Sequence, residues 1–358
     1  MMKKRMGIIG LIALAAALTL AGCAGQSQPE VLYFYNWSDY IDETLIADFE
    51  EETGIQVVED TFGSNEELFA KLQADSGQYD VIVPSDYMVA NMIENGMLAT
   101  LDKDALENDQ FLDPVFSNPP YDPGLEHCIP YLWGTTGIGF DSADFEGAEI
   151  TSAEVMFNPE MLEELGVRLS FLDDSRETLG IALNYLGYSP NSTDEAELEE
   201  AKQLLLGVRD YIVTFDSETY EENLLTDETN LAFGYNGDFF LAVEENEDIV
   251  YVIPEEGTTV WTDNLCIPVE VAQDEARYAR ALQWIDFLHR PENMARIVNY
   301  VYYPSPNSAA NELVDPEITG DPSIYPDEET FARLYFLEPV GEATELYDRI
   351  WTEVIAGQ

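Results

Sequence analysis

Between residues 31 and 83, strand-forming and helix-forming patterns alternate, and that alternation restricts the fold more than any other feature of the chain. Val31-Leu32-Tyr33-Phe34-Tyr35 is rich in β-branched and aromatic residues and breaks at Asn36-Trp37-Ser38-Asp39. Ile41, Leu45 and Phe49 then recur at helical spacing, and Gly54 stops the pattern. Ile55–Val58 reads as a second strand. Ser64-Asn65-Glu66-Glu67 has capping-box spacing ahead of Leu68, Phe69 and Leu72. Tyr79–Val83 is a third strand, closed by Pro84-Ser85. Repeated strand–helix units imply a parallel sheet covered by helices, so the fold class is α/β. In open sheets of this kind ligands sit beyond the carboxyl ends of the strands. Trp37-Ser38-Asp39-Tyr40 and Ser85-Asp86-Tyr87 both fall there.

Further along, Ile129 to Phe140 is apolar and glycine-containing without a helical period, which suits a long strand passing between two lobes. Cys266-Ile267-Pro268-Val269 is a second candidate crossing. Ala279, Leu282, Ile285, Phe287 and Leu288 mark an amphipathic helix that Arg290-Pro291 should end. The chain is long enough for two lobes, each with its own core. The expected division is residues 31–136 with 264–304 in the first lobe, and 137–263 with 305–358 in the second.

Lys3, Lys4 and Arg5 precede the apolar run Gly7 to Leu20, which is too short to span a bilayer and reads as a signal peptide over residues 1–22. Leu20-Ala21-Gly22-Cys23 resembles the bacterial lipobox, so Cys23 is the expected acylated residue and 23–30 a linker. Export with a lipid anchor on the cell membrane follows. Cys128 and Cys266 are then the cysteines left in the mature chain. Outside the cell they could form one bridge or stand as two buried thiols.

Asp and Glu number 71 against 15 Lys and Arg, a formal charge of −56. That sign excludes nucleic acid as a partner and concentrates cations near the surface. No nucleophile motif, phosphate-cradling glycine loop or cofactor fingerprint is present. His127 and His289 lie in apolar runs, as structural histidines do. Neither an enzyme, nor a cofactor, nor a resident metal is expected.

What the sequence does offer is acids beside aromatics. Trp37 and Asp39, and Trp261 and Asp263, are two apart, so each pair shares one face of an extended chain. Asp174 and Glu177 are three apart, on one side of a turn or helix start. Tyr235-Asn236-Gly237-Asp238 sets an aromatic beside an acid across a turn. An alkyl chain carrying ammonium groups needs this pairing: carboxylates for each charge, and rings for the methylenes between.

The segments Tyr33-Phe34-Tyr35-Asn36-Trp37-Ser38-Asp39-Tyr40, Asp80-Val81-Ile82-Val83-Pro84-Ser85, Ile129-Pro130-Tyr131-Leu132-Trp133-Gly134-Thr135-Thr136-Gly137-Ile138-Gly139 and Tyr303-Pro304-Ser305-Pro306-Asn307 resemble, in collinear order, the spermidine/putrescine-binding proteins of bacterial ABC importers. The resemblance implies the two-lobed periplasmic-binding fold (type II), a monomer that closes on a linear polyamine and docks on a membrane permease. It places Trp37, Tyr40, Tyr87, Trp261 and Tyr303 in an aromatic box, Ser38 and Ser85 at its edge, and Asp39, Asp174, Glu177, Asp238 and Asp263 against the amines. Tyr235 stands where many members carry Trp, and Leu337 where spermidine-preferring members carry a polar amide. The alternative is a binding protein of the same fold for a sugar or a metal ion.

Overall fold

The computed structural model describes residues 30–75, 77–145 and 147–358. The signal segment and Cys23 lie outside the described residues. Strand β1 (Val31–Trp37) runs parallel between β2 (Gln56–Phe62) and β3 (Val81–Ile82). Antiparallel β9 (Val260–Cys266) follows β3, and β4 (Cys128–Asp141) pairs with β9. Beyond Thr135, β4 leaves β9 and pairs instead with β7 (Leu231–Tyr235) and β8 (Ile249–Val252). Parallel β5 (Leu169–Phe171) and β6 (Ile212–Phe215) extend the β7 side. Two sheets are therefore joined through one strand, in the order β2-β1-β3-β9-β4-β7-β5-β6.

The expected α/β, two-lobed architecture is what forms. Each sheet carries its own core. Leu32, Phe49, Leu132, Trp284, Ile297 and Ile324 belong to the first, and Ile138, Phe171, Leu183, Phe233 and Ile350 to the second. Strand β4 feeds both, with Leu132 in one and Ile138 in the other. It is buried at every residue but Asp141, which is why its sequence reads as an unbroken apolar run. Trp284 anchors the first core, meeting Phe34 at 5.6 Å and Phe49 at 4.8 Å edge to face. Such ring pairs contribute about 0.5–1.5 kcal/mol beyond area burial.

Local signals act largely as expected. Gly54 closes the helix Thr44–Thr53 at φ 74°, a left-handed position that costs glycine nothing. Ser64 caps the helix Asn65–Ala74 by accepting from the Glu67 amide at 3.1 Å. Pro291 does more than end the helix Glu275–Leu288: it opens a second one, Pro291–Val301, from the first turn, where its missing N–H is not needed.

Three expectations require correction. Cys266–Val269 is not a crossing; Cys266 pairs with Ile82 and Cys128 inside the first sheet, and the chain crosses earlier, just before β9. Residues 260–263 thus belong to the first lobe, since Trp261 packs in its core and Asp263 bonds to Tyr40 and Ser85. The segment after residue 305 likewise gives Ala310, Val314 and Ile318 to the first core, and only the helix Thr344–Ala356 packs deep in the second. Apolar pattern shows that a segment is buried, but not against which sheet.

Three segments therefore cross between lobes: β4 at Thr135–Gly137, the chain at Gly257–Thr259, and a return through Arg333–Leu337. They are hydrogen-bonded together, Thr136 N–H to Thr259 O at 3.1 Å, Val260 N–H to Tyr335 O at 2.9 Å, and Tyr335 N–H to Thr258 O at 3.1 Å. Gly257, at φ 89°, lets this ribbon form, because a Cβ there would overlap the Arg333 carbonyl.

Cys128 and Cys266 sit directly opposite on β4 and β9, with Cα atoms 4.5 Å apart, and are bridged. The bridge spans 138 residues of chain and lies in the first lobe. Replacing both cysteines with alanine should lower unfolding free energy by about 2–4 kcal/mol, seen as a lower denaturant midpoint. An unchanged midpoint would mean that the bridge does not form in the folded protein.

Candidate ligand-binding site

A cavity of about 520 Å³ opens between the lobes, and all of the ligand-binding positions expected from sequence line it. The first lobe supplies the ends of its strands. Trp37 closes β1, donates its indole N–H to Val83 O at 2.9 Å, and packs on Phe62 at 4.5 Å. Ser38 and Asp39 follow at the exposed lip, Asp39 in a left-handed turn at φ 52° that turns Tyr40 inward. Ser85 and Tyr87 stand at the start of the helix Asp86–Glu94. Asn65 holds Ser85 from both sides, accepting from its amide and donating to its hydroxyl, each at 3.0 Å. On β9, Asp263 accepts from Ser85 Oγ at 2.6 Å and from Tyr40 Oη at 2.8 Å.

The second lobe faces these groups with helix beginnings. Asp174 caps the helix Ser175–Tyr185, accepting from the Arg176 and Glu177 amides at 2.8 and 3.0 Å. Tyr235 ends β7, and Asp238 lies in the first turn of the helix Asn236–Glu245, where the helix dipole favours a negative charge. Asp238 also accepts from Tyr220 at 2.5 Å and, across the cleft, from Tyr303 at 2.7 Å. Rings of Tyr235, Trp261, Tyr303 and Tyr40 form a continuous wall, with successive centroids 5.7, 5.3 and 5.2 Å apart. Gly134 and Gly237 make room for it: a Cβ at either would stand 2.5 Å from the Trp261 or Tyr303 ring.

Sequence reasoning missed three acids that line the cavity, the exposed Glu218 and the more deeply placed Asp86 and Glu221. Asp86 is 2 % exposed, and its Oδ2 has no hydrogen-bond partner among the described residues; the same holds for Glu221 Oε2. Asp86 is legible as the middle of Ser85-Asp86-Tyr87, at the same strand end as Ser85 and Tyr87. Glu221, in the short helix Tyr220–Leu225, carried no local signal.

Among the described residues, eight acidic and seven aromatic side chains line the cavity, with no basic residue beside them. Burial raises the carboxyl pKa values, and Arg176 offsets only part of the rise at Asp86 and Asp174. Asp263 is pushed up to about 7 against the pull of its two hydroxyl donors. Asp86 and Glu177 are pushed up to about 8, in each case by burial first and acidic neighbours second. Glu221 also reaches about 8, through burial and then Asp238. Burial raises Asp174 and Asp238 as well. The arrangement can hold compact positive charges and cover apolar carbon between them. His289, buried in the first lobe, is pushed down to about 4 by burial and is remote from this chemistry.

Two lobes joined by three crossings, with one cavity formed from both, define a two-lobed solute-binding protein. The chain belongs to the bacterial extracellular solute-binding proteins, whose family model matches residues 44–326. It is 39% identical over 372 residues to the putrescine-binding periplasmic protein SpuD of Pseudomonas aeruginosa, covering 100% of each chain. It is 37% identical over 346 residues to the spermidine/putrescine-binding periplasmic protein of Salmonella typhimurium, covering 96% of this chain and 97% of the relative. A solved Listeria monocytogenes structure assigned to a spermidine/putrescine ABC transporter superposes with a TM-score of 0.85 at 34% identity, over 92% of this chain and 100% of that one. The family acts outside the cytoplasm and binds solutes for transport.

The raised carboxyl pKa values fix a sign for stability. A buried carboxyl that titrates near 8 when folded and near ~4 when unfolded stabilises the ligand-free fold while protonated. That contribution is complete below about pH 4 and is lost as pH rises through the folded pKa. Glu177→Gln keeps the shape and removes the titration. Ligand-free Glu177→Gln should melt a few degrees above the parent at pH 8.5 and together with it at pH 4, measured by scanning calorimetry. Identical melting at both values would place Glu177 in contact with water instead.

Proposed function

We propose that this protein captures a linear polyamine, putrescine or spermidine, in the cleft and presents it to an ABC permease without making or breaking bonds. The observation that carries the reading is the lining itself: among the described residues, eight acids, seven aromatics and no base. A neutral sugar does not call for that many buried carboxylates, and a bare metal ion gains nothing from tryptophan walls.

The acids fall into two neighbourhoods. Asp174 and Asp86 raise the pKa of Glu177 at one end, and at the other Asp39 raises that of Asp238 and Asp238 that of Glu221. Tyr235 feels acids of both groups and lies beside Trp261, so the ring wall spans the interval between them. An ammonium group at each end would satisfy the carboxylates, and its methylenes would lie on the rings, where each cation–π contact adds about 0.5–2 kcal/mol. Tyr40, Ser85 and Asp263 would hold the first-lobe side, with Trp37, Ser38 and Tyr87 at the entrance. Ligand bridging both lobes favours the closed form through differential affinity. The relatives named for putrescine and spermidine agree with this chemistry. Acylation of Cys23 would keep a monomer at the membrane face beside its permease.

Isothermal titration of the mature chain with putrescine, spermidine, agmatine and glucose tests the reading. One amine should bind per protein, and Asp263→Asn should weaken it more than about tenfold, the value of a desolvated charge-assisted contact. Affinity should rise from pH 5.5 to pH 8 as the carboxyls ionise, with proton release on binding at pH 7. Heat from glucose or a divalent cation alone would replace polyamine as the ligand. For the anchor, Cys23→Ala should move the protein from the detergent phase to the aqueous phase in a phase-partition experiment.

A further inference from the structure

Two cleft residues, Trp261 and Asp263, come from β9, and the backbone pairing around them is thin on both sides. The strand is buried along its whole length between β3 and β4. Toward β3, Cys266 pairs with Ile82 and Asp263 with Ser85. Between those points Pro84 accepts the Asn264 amide at 3.0 Å and, having no N–H, returns no bond. Toward β4 the register runs Cys128 with Cys266, Ile129 with Leu265 and Pro130 with Asn264, then shifts, so that Leu132 rather than Tyr131 meets Asp263. Tyr131 is the extra residue of a β-bulge, which breaks the ladder locally.

The bulge serves the site by sending Tyr131 to Tyr40. Tyr131 donates to the Tyr40 carbonyl at 3.1 Å with the two rings 5.8 Å apart, and the Tyr40 hydroxyl donates to Asp263. What the bulge weakens is register. Antiparallel pairs alternate between those that exchange amide bonds and those that do not, and the 4.5 Å Cα separation of Cys128 and Cys266 marks the second kind. Only the Ile129–Leu265 pair is then left to exchange backbone bonds between the bridge and the bulge. Side chains alternate between faces, so a slip of one residue would turn Trp261 and Asp263 away from the cleft together. The covalent link on this stretch is the disulfide, on the same strand as Asp263. Its β4 end is fixed in turn, because the amides of Glu126, His127 and Cys128 donate to the buried Asp122 carboxylate at 3.0, 2.9 and 2.9 Å. Tyr121 adds a bond to Asn264 Oδ1 at 3.0 Å, but between side chains, which yield where a covalent bridge does not.

We propose that Cys128 and Cys266 are positioning residues of the ligand site: their bridge fixes the register of β9 across the bulge and so holds Trp261 and Asp263 facing the cleft. The bridged chain is the tight-binding form, and a folded chain without the bridge binds more weakly. The inference rests on the polyamine reading of the cleft, in which Asp263 meets an ammonium group.

The test is titration calorimetry with putrescine on the pair Cys128→Ala and Cys266→Ala, made in the parent, in an Asp263→Asn background and in an Asp238→Asn background. All are titrated well below their melting temperatures. A second pair, Cys128→Val with Cys266→Ala, keeps more of the apolar volume and carries the same comparison if the first does not fold. In the parent, loss of the bridge should weaken binding about tenfold or more, as for a misplaced charge-assisted contact. The same loss should persist in the Asp238→Asn background, whose acid lies in the other lobe. In the Asp263→Asn background it should shrink to about twofold or less, the range of independent sites. Unchanged affinity in the folded bridge-free chain, or equal losses in the Asp263→Asn and Asp238→Asn backgrounds, would overturn the inference and leave the polyamine reading standing. Absence of amine binding by the parent would overturn that reading, and the inference with it.

Discussion

The cost of bringing carboxylates together away from water governs this structure. Asp39 and Asp238, Asp86 and Glu177, and Glu66 and Asp174 face one another from opposite lobes, and in each pair one acid raises the other's pKa. Closing the empty cleft therefore works against like-charge repulsion and desolvation, or requires protons to be taken up. A ligand that brings two positive charges reverses the sign of each of those terms. The same side chains thus oppose closure when empty and favour it when filled, which is the differential interaction that a ligand-driven equilibrium requires.

Such a site needs a scaffold that does not yield to the repulsion. Asp263 is held by Tyr40 and by Ser85, and Ser85 is held in turn by Asn65, so the carboxylate is oriented before anything binds. The aromatic wall leans on backbone at Gly134 and Gly237, which fixes the rings without flexible contacts. Strand β4 ties the two sheets into one body while leaving the crossing ribbon as the place where the lobes can turn.

Much of the first lobe was legible because its signals are local. The Val31–Tyr35 run, the Gly54 stop and the Ser64 cap each act within a few residues, and the structure uses all three. The positions that reach the cleft were legible through paired wording, Trp37 with Asp39 and Trp261 with Asp263. What sequence did not reveal is long-range. Residues 305–324 carry a few scattered apolar side chains in a mostly polar stretch, and only packing assigns Ala310, Val314, Ile318 and Ile324 to the first core. Glu221 joins the cavity because a short helix happens to face Asp238. Cys128 and Cys266 lie 138 residues apart, so their bridge depended on a strand register that no local pattern states.

The interleaving of the two cores has a consequence for how the chain can be made. The first core needs Leu32 to Leu132 together with Trp261 to Ile324, and the second needs Ile138 to Tyr251 together with Tyr347, Ile350 and Val354. A chain appearing amino end first can finish neither until its last third has emerged, since contacts of such sequence separation close late. During that interval it holds exposed apolar strands with no partner, the state most prone to aggregate. Its dense negative charge then has a use besides binding, keeping unfinished copies apart while the missing strands arrive.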